Sequence, residues 1–239
     1  MKLDILALCA HPDDAEISCA ATLAKHISLG YKAGVIDLTR GELGTRGTPE
    51  IREKEATEAA KILGLTVREN LNLRDGFFGN AEEEKLKIIS AIRKYQPQII
   101  LTNAVTDRHP DHGRAAELVR TCCFLAGLKK IATTTQAGEE QQEWRPRSVF
   151  HFIQSQYIKP DFVVDVSDFW ATKMNALKAF KSQFHNPDSS EPETFISNPG
   201  FLKLIESRGH ELGYSIGVKY GEGFTIDHHL GVENLFHLI

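Results

Sequence analysis

The sequence has few of the features that mark secreted, membrane-spanning or metal–thiolate proteins. Its 239 residues include only four cysteines, two of them adjacent, and no C-x-x-C pair. This usage predicts buried thiols in a reducing compartment rather than disulfides or a zinc–thiolate site. No apolar run reaches the roughly 18 residues of a transmembrane helix, and the first apolar run is too short for a signal peptide. We therefore expect a cytoplasmic protein without a membrane partner.

Excess positive charge is also absent. Lys and Arg total 28 against 32 Asp and Glu, which gives a formal net charge of -4. This balance leaves no basic field to attract a phosphate backbone, so a small molecule is the expected partner rather than nucleic acid. The hydrophobic fraction of 41% and the charged fraction of 25% are close to globular averages. They exclude disordered, collagenous and coiled-coil classes.

Short apolar runs alternate with amphipathic ones along the first half of the chain, and no linker or repeat divides it. Four runs have the length and composition of buried strands, at 3–9, 32–39, 67–73 and 98–103. Helical periodicity follows each of them, at 16–29, 49–63, 81–95 and 111–125. Strands that alternate with helices predict a mostly parallel sheet, here in the order 3-2-1-4, within a three-layer Rossmann-like α/β sandwich.

Beyond about residue 130 this rhythm weakens. We predict strands at 149–153 and 162–166 and helices near 169–184 and 199–212. These elements would add strands to the sheet and form an accessory C-terminal layer. The chain, 1–239, is therefore predicted to be a single domain.

Glycines are missing from the turn after the first strand, where a dinucleotide-binding fold carries G-x-G-x-x-G. That turn reads Ala-His-Pro-Asp-Asp over residues 10–14, and the turn after the fourth strand reads Asp-Arg-His-Pro-Asp-His over 107–112. The carboxylates would repel a pyrophosphate, whereas imidazole and carboxylate groups together can hold a divalent metal. Strands one and four are neighbours in the order 3-2-1-4, so both turns open into one crevice.

Each turn also has a purely structural interpretation, in which Asp caps the following helix and His makes one hydrogen bond. Two such turns at neighbouring strand ends favour a metal site over this alternative. A hydrolytic zinc site needs three ligands, and the remaining groups are then available for proton transfer. The candidate residues are His11, Asp13, Asp14, His109, Asp111 and His112.

These two turns resemble the hallmarks of the LmbE-like/PIG-L superfamily of zinc-dependent N-acetylglucosaminide deacetylases. The resemblance extends over most of the chain and includes the segments GELGTRGT at 41–48, REKEA at 52–56, NLRD at 72–75 and YGEGF at 220–224. Within the superfamily, the 41–48 loop is most similar to the deacetylases of bacillithiol biosynthesis, which act on N-acetylglucosaminyl-malate. The resemblance therefore implies removal of an N-acetyl group from an N-acetylglucosamine conjugate.

The resemblance also implies a role for each candidate residue. Three of them would bind zinc, namely His11, Asp14 and His112. Asp13 would be the general base, and His109 would stabilise the oxyanion or protonate the leaving amine. Asp111 would orient the His109 ring. Arg52 resembles the family's substrate-contacting arginine. Arg40, Arg46 and Arg108 surround the predicted crevice and could hold the two carboxylates of a malyl aglycone, with Arg108, beside His109, as the first choice.

Several alternatives stay open. Fe²⁺ is the alternative native metal, and two histidines with one carboxylate also describe non-haem iron oxygenases, although the βαβα rhythm disfavours their usual fold. The substrate could instead be another N-acetylglucosamine conjugate or a chitooligosaccharide, and a non-catalytic sugar-binding protein could retain the metal. The expected assembly is a homo-oligomer, for which the resemblance implies a hexamer.

Overall fold

The computed structural model describes residues 1–135 and 137–237. Its strands are β1 (Ile5–Cys9), β2 (Ala33–Thr39), β3 (Val67–Leu73), β4 (Ile99–Thr102), β5 (Ser148–Phe152), β6 (Phe162–Asp165) and β7 (Gly221–Thr225). Its α-helices are α1 (Asp14–Ser18), α2 (Ala20–Ser28), α3 (Pro49–Leu63), α4 (Glu82–Tyr95), α5 (Pro110–Ala126), α6 (Trp170–Ala179) and α7 (Pro199–Ser215).

The strands form one seven-stranded sheet in the order β3-β2-β1-β4-β5-β7-β6. The first five strands of this order are parallel, and β7 runs antiparallel to both of its neighbours. Ile5 in β1 pairs with Ala33 on one side and Ile99 on the other. The predicted α/β class and the order 3-2-1-4 are therefore confirmed.

Helices cover both faces of the sheet, as expected for a mostly parallel sheet. On one face, α4 and α5 pack against the strands through residues such as Leu8, Ile36 and Ile92. On the other face, α2 packs on β1 and β2 through Leu23, and α3, α6 and α7 complete that layer. Every residue of β1 and β2 is buried. The two turns after β1 and β4 thus start from neighbouring strands inside the sheet.

The predicted helix at 16–29 is interrupted at Cys19, which separates α1 from α2. The buried Glu222 carboxylate accepts hydrogen bonds from the backbone N–H groups of Ala21 (3.2 Å) and Thr22 (2.7 Å). A helix that begins here gains a charged cap, which offsets the loss of a continuous helix. The predicted helix at 169–184 likewise ends early, at Ala179.

Strand β7 was not predicted, because its sequence Gly-Glu-Gly-Phe-Thr has weak strand propensity. The structure shows why glycine is used. A Cβ atom on Gly221 would lie 2.5 Å from Cγ1 of Val163 and 2.9 Å from the backbone nitrogen of Gly213. Only glycine allows helix α7 and strand β6 to approach β7 this closely.

None of the helices in the described part of the chain combines the length and the apolar composition that crossing a bilayer requires.

Candidate active site

The turns after β1 and β4 meet at the carboxyl end of the sheet. The backbone N–H of Ala10 donates to Oδ1 of Asn103 at 2.8 Å, which ties the two strand ends together. The ring centroids of His11 and His109 are 4.7 Å apart, and those of His11 and His112 are 5.5 Å apart. Residues almost one hundred positions apart in the chain thus face one another, as the topology predicted.

Asp14 lies between two imidazole rings. Its Oδ1 atom is 3.2 Å from Nε2 of His112, and its Oδ2 atom is 3.7 Å from Nδ1 of His11. The amide groups of Asn103 (2.9 Å) and Gln154 (2.8 Å) donate to the same carboxylate and fix its orientation. Each oxygen of Asp14 thus faces one imidazole nitrogen, and imidazole and carboxylate groups are the kinds of ligand that a divalent cation such as zinc prefers.

Other carboxylates contact the ring nitrogens of His11 and His112 that do not face Asp14. Nε2 of His11 lies 3.1 Å from Asp75 and 3.2 Å from Asp111. Nδ1 of His112 donates to Asp107 at 2.5 Å. Among the described residues, two groups have ligand atoms that lie within 4.8 Å of one another, namely His11 with His109 and His112, and His11 with Asp75 and Asp111. A His/Asp metal site is therefore available at this end of the sheet.

The Asp111 carboxylate contacts His11 rather than the His109 ring. It also accepts from the backbone N–H of Gly76 (2.9 Å) and from Arg114 (2.5 Å). The contact between Asp111 and His109 is made by the backbone, since the N–H of Asp111 donates to Nδ1 of His109 at 3.3 Å. His109 is the N-cap of α5, so its ring orientation is set by the start of that helix.

Asp13 is the N-cap of α1 and has a left-handed backbone, with φ 119° and ψ -21°. Its buried carboxylate lies 3.3 Å from Nη2 of Arg52. That guanidinium also donates to the carbonyls of Pro12 (2.6 Å) and Gly41 (3.2 Å). Arg52 therefore joins α3 to the turn after β1 and holds Asp13 at the edge of the cavity.

The electrostatics of the cluster follow from buried groups of opposite sign. Burial raises the pKa of Asp13 to about 7, against the opposing effect of Arg52. Burial acts in the same direction on Asp14, but the neighbouring His112 and His11 hold its pKa well below the ordinary value. Burial and the two neighbouring imidazoles lower the pKa of His109.

The surrounding carboxylates outweigh burial at the other two rings. Burial opposes a positive charge on His11, yet hydrogen bonds to Asp111 and Asp75 raise its pKa to about 10. For His112, burial is overcome by Asp14 and Asp107, and the pKa rises to about 9. The acidic surroundings of these two rings therefore favour positive charge at this end of the sheet.

A cavity of about 340 Å³ opens above this cluster. Its floor includes His11, Asp13 and His112, and Arg52 lines it near Asp13. The loop between β2 and α3 forms one wall. Arg108 and Phe195 also line the cavity, and the exposed Arg108 lies over the Phe195 ring, 4.2 Å from its centroid.

Four polar residues that hold the cluster were not predicted as site residues, namely Asp75, Asn103, Asp107 and Gln154. Asp107 lies inside the second motif, five residues before His112, and this short spacing could have suggested a contact between the two side chains. Gln154 acts across 140 positions of the chain. No local pattern reveals such a contact.

The chain was compared with known proteins. The PIG-L family, described as GlcNAc-PI de-N-acetylase, matches residues 6–123. The conserved protein TT1542 from Thermus thermophilus is 35% identical, with a TM-score of 0.84 over 97% of this chain and 98% of that chain.

Two curated relatives have different named activities. Diacetylchitobiose deacetylase of Thermococcus kodakarensis is 29% identical over 195 residues, which are 75% of this chain and 70% of that protein. The 4-oxalmesaconate hydratase of Pseudomonas putida is 25% identical over 205 residues, 75% of this chain and 74% of that protein. The family match, the near-complete structural match and the His/Asp cluster at the strand ends together show that this chain belongs to the PIG-L (LmbE-like) superfamily.

Proposed function

We propose that this protein is a metal-dependent hydrolase that removes the acetyl group from an N-acetylglucosamine conjugate, with N-acetylglucosaminyl-malate of bacillithiol biosynthesis as its substrate. The observation that carries the proposal is the position of Asp13. Its carboxylate lies beside the His11–Asp14–His112 donor set and lines the same cavity. A metal site used only for binding needs no buried carboxylate next to it.

His11, Asp14 and His112 would hold the metal, which we assign as zinc, with Fe²⁺ as the alternative. The two imidazole nitrogens and one carboxylate match the ligand preferences of zinc and leave a position open for substrate. A divalent cation supplies Lewis acidity at such a site, because it polarises a carbonyl group and acidifies water. Asn103 and Gln154 keep the Asp14 carboxylate in place for this role.

Asp13 and His109 would carry out the proton transfers. Asp13 takes a proton from the water that attacks the acetamide carbon, and Arg52 opposes the rise in the Asp13 pKa and holds the carboxylate in position. His109 stabilises the charge that develops on the carbonyl oxygen, or gives a proton to the departing nitrogen. The C–N bond then breaks to give acetate and a free amine. Asp111 positions His11 through its carboxylate and His109 through its backbone N–H.

Arg52 and Arg108 line the cavity and would contact the substrate. Arg108 is exposed and stacks on Phe195, so its guanidinium can turn toward a carboxylate of the aglycone. The proposal includes a cytoplasmic homo-oligomer, with a hexamer as the expected assembly. The exposed Phe77 ring, which stacks with Arg74, is a candidate contact between subunits.

The test is release of free amine from N-acetylglucosaminyl-malate and from N-acetylglucosamine by protein that has been stripped with a chelator and reloaded with zinc or Fe²⁺. We expect metal-dependent release, faster for the malate conjugate. No release with either metal would refute the proposal. Turnover of an unsaturated dicarboxylic acid by hydration, without amine release, would favour a hydratase instead.

Two variants separate the assigned roles. Asp13→Asn should retain stoichiometric zinc and lose activity by a factor of about 10²–10⁴, the range for loss of a general base. His112→Ala should lose both zinc and activity. Equal loss of zinc in the two variants would contradict the assignment of base and ligand.

A further inference from the structure

The loop between β2 and α3 places a buried arginine in the wall of the cavity. Arg46 has only 5% of its surface exposed and lines the same cavity as His11 and Asp13. Its backbone carbonyl accepts a hydrogen bond from Nε2 of Gln183 at 2.8 Å. The position of this arginine is therefore set by packing against the segment that follows α6.

The segment that supports Arg46 is itself held in place. Ser182 makes two hydrogen bonds of 2.7 Å to the Glu55 carboxylate on α3. Gly47 has a φ of +70°, and a Cβ atom there would lie 2.7 Å from Oγ of Ser182. The loop therefore reaches this close contact only because residue 47 is glycine. Such a fixed backbone can serve as a preformed binding surface.

The Arg46 guanidinium lacks acceptors. Its Nε and Nη2 atoms are buried and have no hydrogen-bond partner among residues 1–135 and 137–237. Burial of unpaired charged donors is costly, and it is tolerated where a ligand supplies the acceptor. Nε and Nη2 lie on one edge of the guanidinium, so they match the two oxygens of a single carboxylate.

A carboxylate of the chain already lies close to this position. One oxygen of Glu191 accepts from the backbone N–H of Gly47 at 2.8 Å, and the other lies 3.7 Å from Nε of Arg46. The second distance is beyond hydrogen-bond range. Glu191 is 41% exposed and belongs to the connection between α6 and α7, so a ligand can displace it. The chain thus shows which chemical group this position accepts.

We propose that Arg46 and the Gly47 amide form a subsite for a carboxylate on the aglycone of the substrate, and that Glu191 occupies this subsite when no ligand is bound. The inference rests on the proposed function, and it names the residues that select an anionic conjugate over a neutral one. The carboxylate would accept from Nε and Nη2 of Arg46 and from the Gly47 N–H, while the acetamide reaches the His/Asp cluster.

The experiment compares kcat/KM for N-acetylglucosaminyl-malate with kcat/KM for neutral diacetylchitobiose, in wild-type and variant zinc-loaded protein. Arg46→Gln should lower the ratio of the two values by about tenfold or more through KM, since a charge-assisted contact is lost. Glu191→Gln should raise the ratio, because it weakens the internal competitor. Arg40→Gln is the matched control: this arginine pairs with Glu50 at 3.0 Å and does not line the cavity, so the ratio should not change.

The inference is wrong if Arg46→Gln lowers kcat/KM equally for both substrates while its thermal unfolding matches that of the wild type. It is also wrong if Glu191→Gln leaves the ratio unchanged. The Glu191 variant alters an exposed side chain, so it tests the subsite even if Arg46→Gln fails to fold.

Failure of the proposed function would be seen separately. If the wild type releases no amine from either conjugate, calorimetric binding of N-acetylglucosaminyl-malate to zinc-loaded protein provides the test. Binding that is about tenfold weaker in Arg46→Gln supports the subsite although the proposed reaction is refuted. Equal affinity in the two proteins, or no binding to the wild type, overturns the inference.

Discussion

Asp107 holds the side of the His112 ring that faces away from Asp14, and its replacement by Asn should weaken zinc binding without unfolding the protein. One Asp107 oxygen accepts from His112 at 2.5 Å, and the other accepts from the backbone N–H of Gln156 at 2.7 Å. An Asn side chain offers only one oxygen, so it leaves one of these two donors unpaired, at a cost of about 1–3 kcal/mol.

The same change removes the negative charge that would make the His112 ring a better ligand for the proposed metal. Loss of such a supporting carboxylate lowers metal affinity by about 10- to 100-fold, which corresponds to about 1.4–2.7 kcal/mol. Competition with a chromophoric chelator measures the zinc dissociation constant, and circular dichroism checks the fold. Asp227→Asn is the control, because Asp227 is exposed and lies 3.6 Å from Arg120, away from the cluster. Equal zinc affinity in folded Asp107→Asn and wild-type protein would refute the reasoning.

Two further predictions concern buried groups elsewhere in the fold. Lys173→Met should lower the free energy of unfolding, measured in urea, by about 3–5 kcal/mol. The Glu222 carboxylate lies 2.6 Å from the Lys173 ammonium, and in this variant it would stay buried without its counter-ion. A decrease of less than about 1 kcal/mol would contradict this prediction. Burial lowers the pKa of His151, whose Nδ1–H donates to the Asn103 carbonyl at 2.9 Å, so the unfolded chain binds a proton at this residue more readily than the folded chain. The contribution of His151 to stability should therefore fall as the pH drops through about 6.5. His151→Asn should remove this contribution from the pH profile of stability, whereas exposed His229→Gln should leave the profile unchanged; identical pH profiles for the wild type and His151→Asn would exclude the assigned cause.

The order of the first four strands could be predicted because it depends on local information. Runs such as 3–9 and 98–103 are apolar and of strand length, and parallel strands joined by helices permit few topologies. The same rule brought His11 and His109 together without any knowledge of side-chain contacts. The second half of the fold could be predicted less completely, because β7 is glycine-rich. Its place in the sheet depends on the close approach of α7 and β6, which no local sequence pattern reveals.

The interior of the site could be predicted only in part. The histidines and aspartates of the two turns stand out because each motif concentrates them within six residues. Asp75 and Gln154 do not stand out, because they reach the cluster from other strand ends and contact it across 64 and 140 positions. The sequence also suggested that Asp111 would orient the His109 ring, whereas its carboxylate lies on His11. Side-chain partners of this kind depend on the exact placement of backbone segments.

The backbone of Asp13 has a consequence for the evolution of this chain. A left-handed conformation at a residue other than glycine costs about 1–3 kcal/mol, and Asp13 has φ 119°. Glycine at this position would relax the backbone, but it would also remove the proposed base and leave the buried Arg52 guanidinium without its counter-ion. The contact with Arg52 therefore offsets the strain at Asp13, so the left-handed turn and the arginine of α3 depend on each other and neither residue can be replaced alone without a loss of stability.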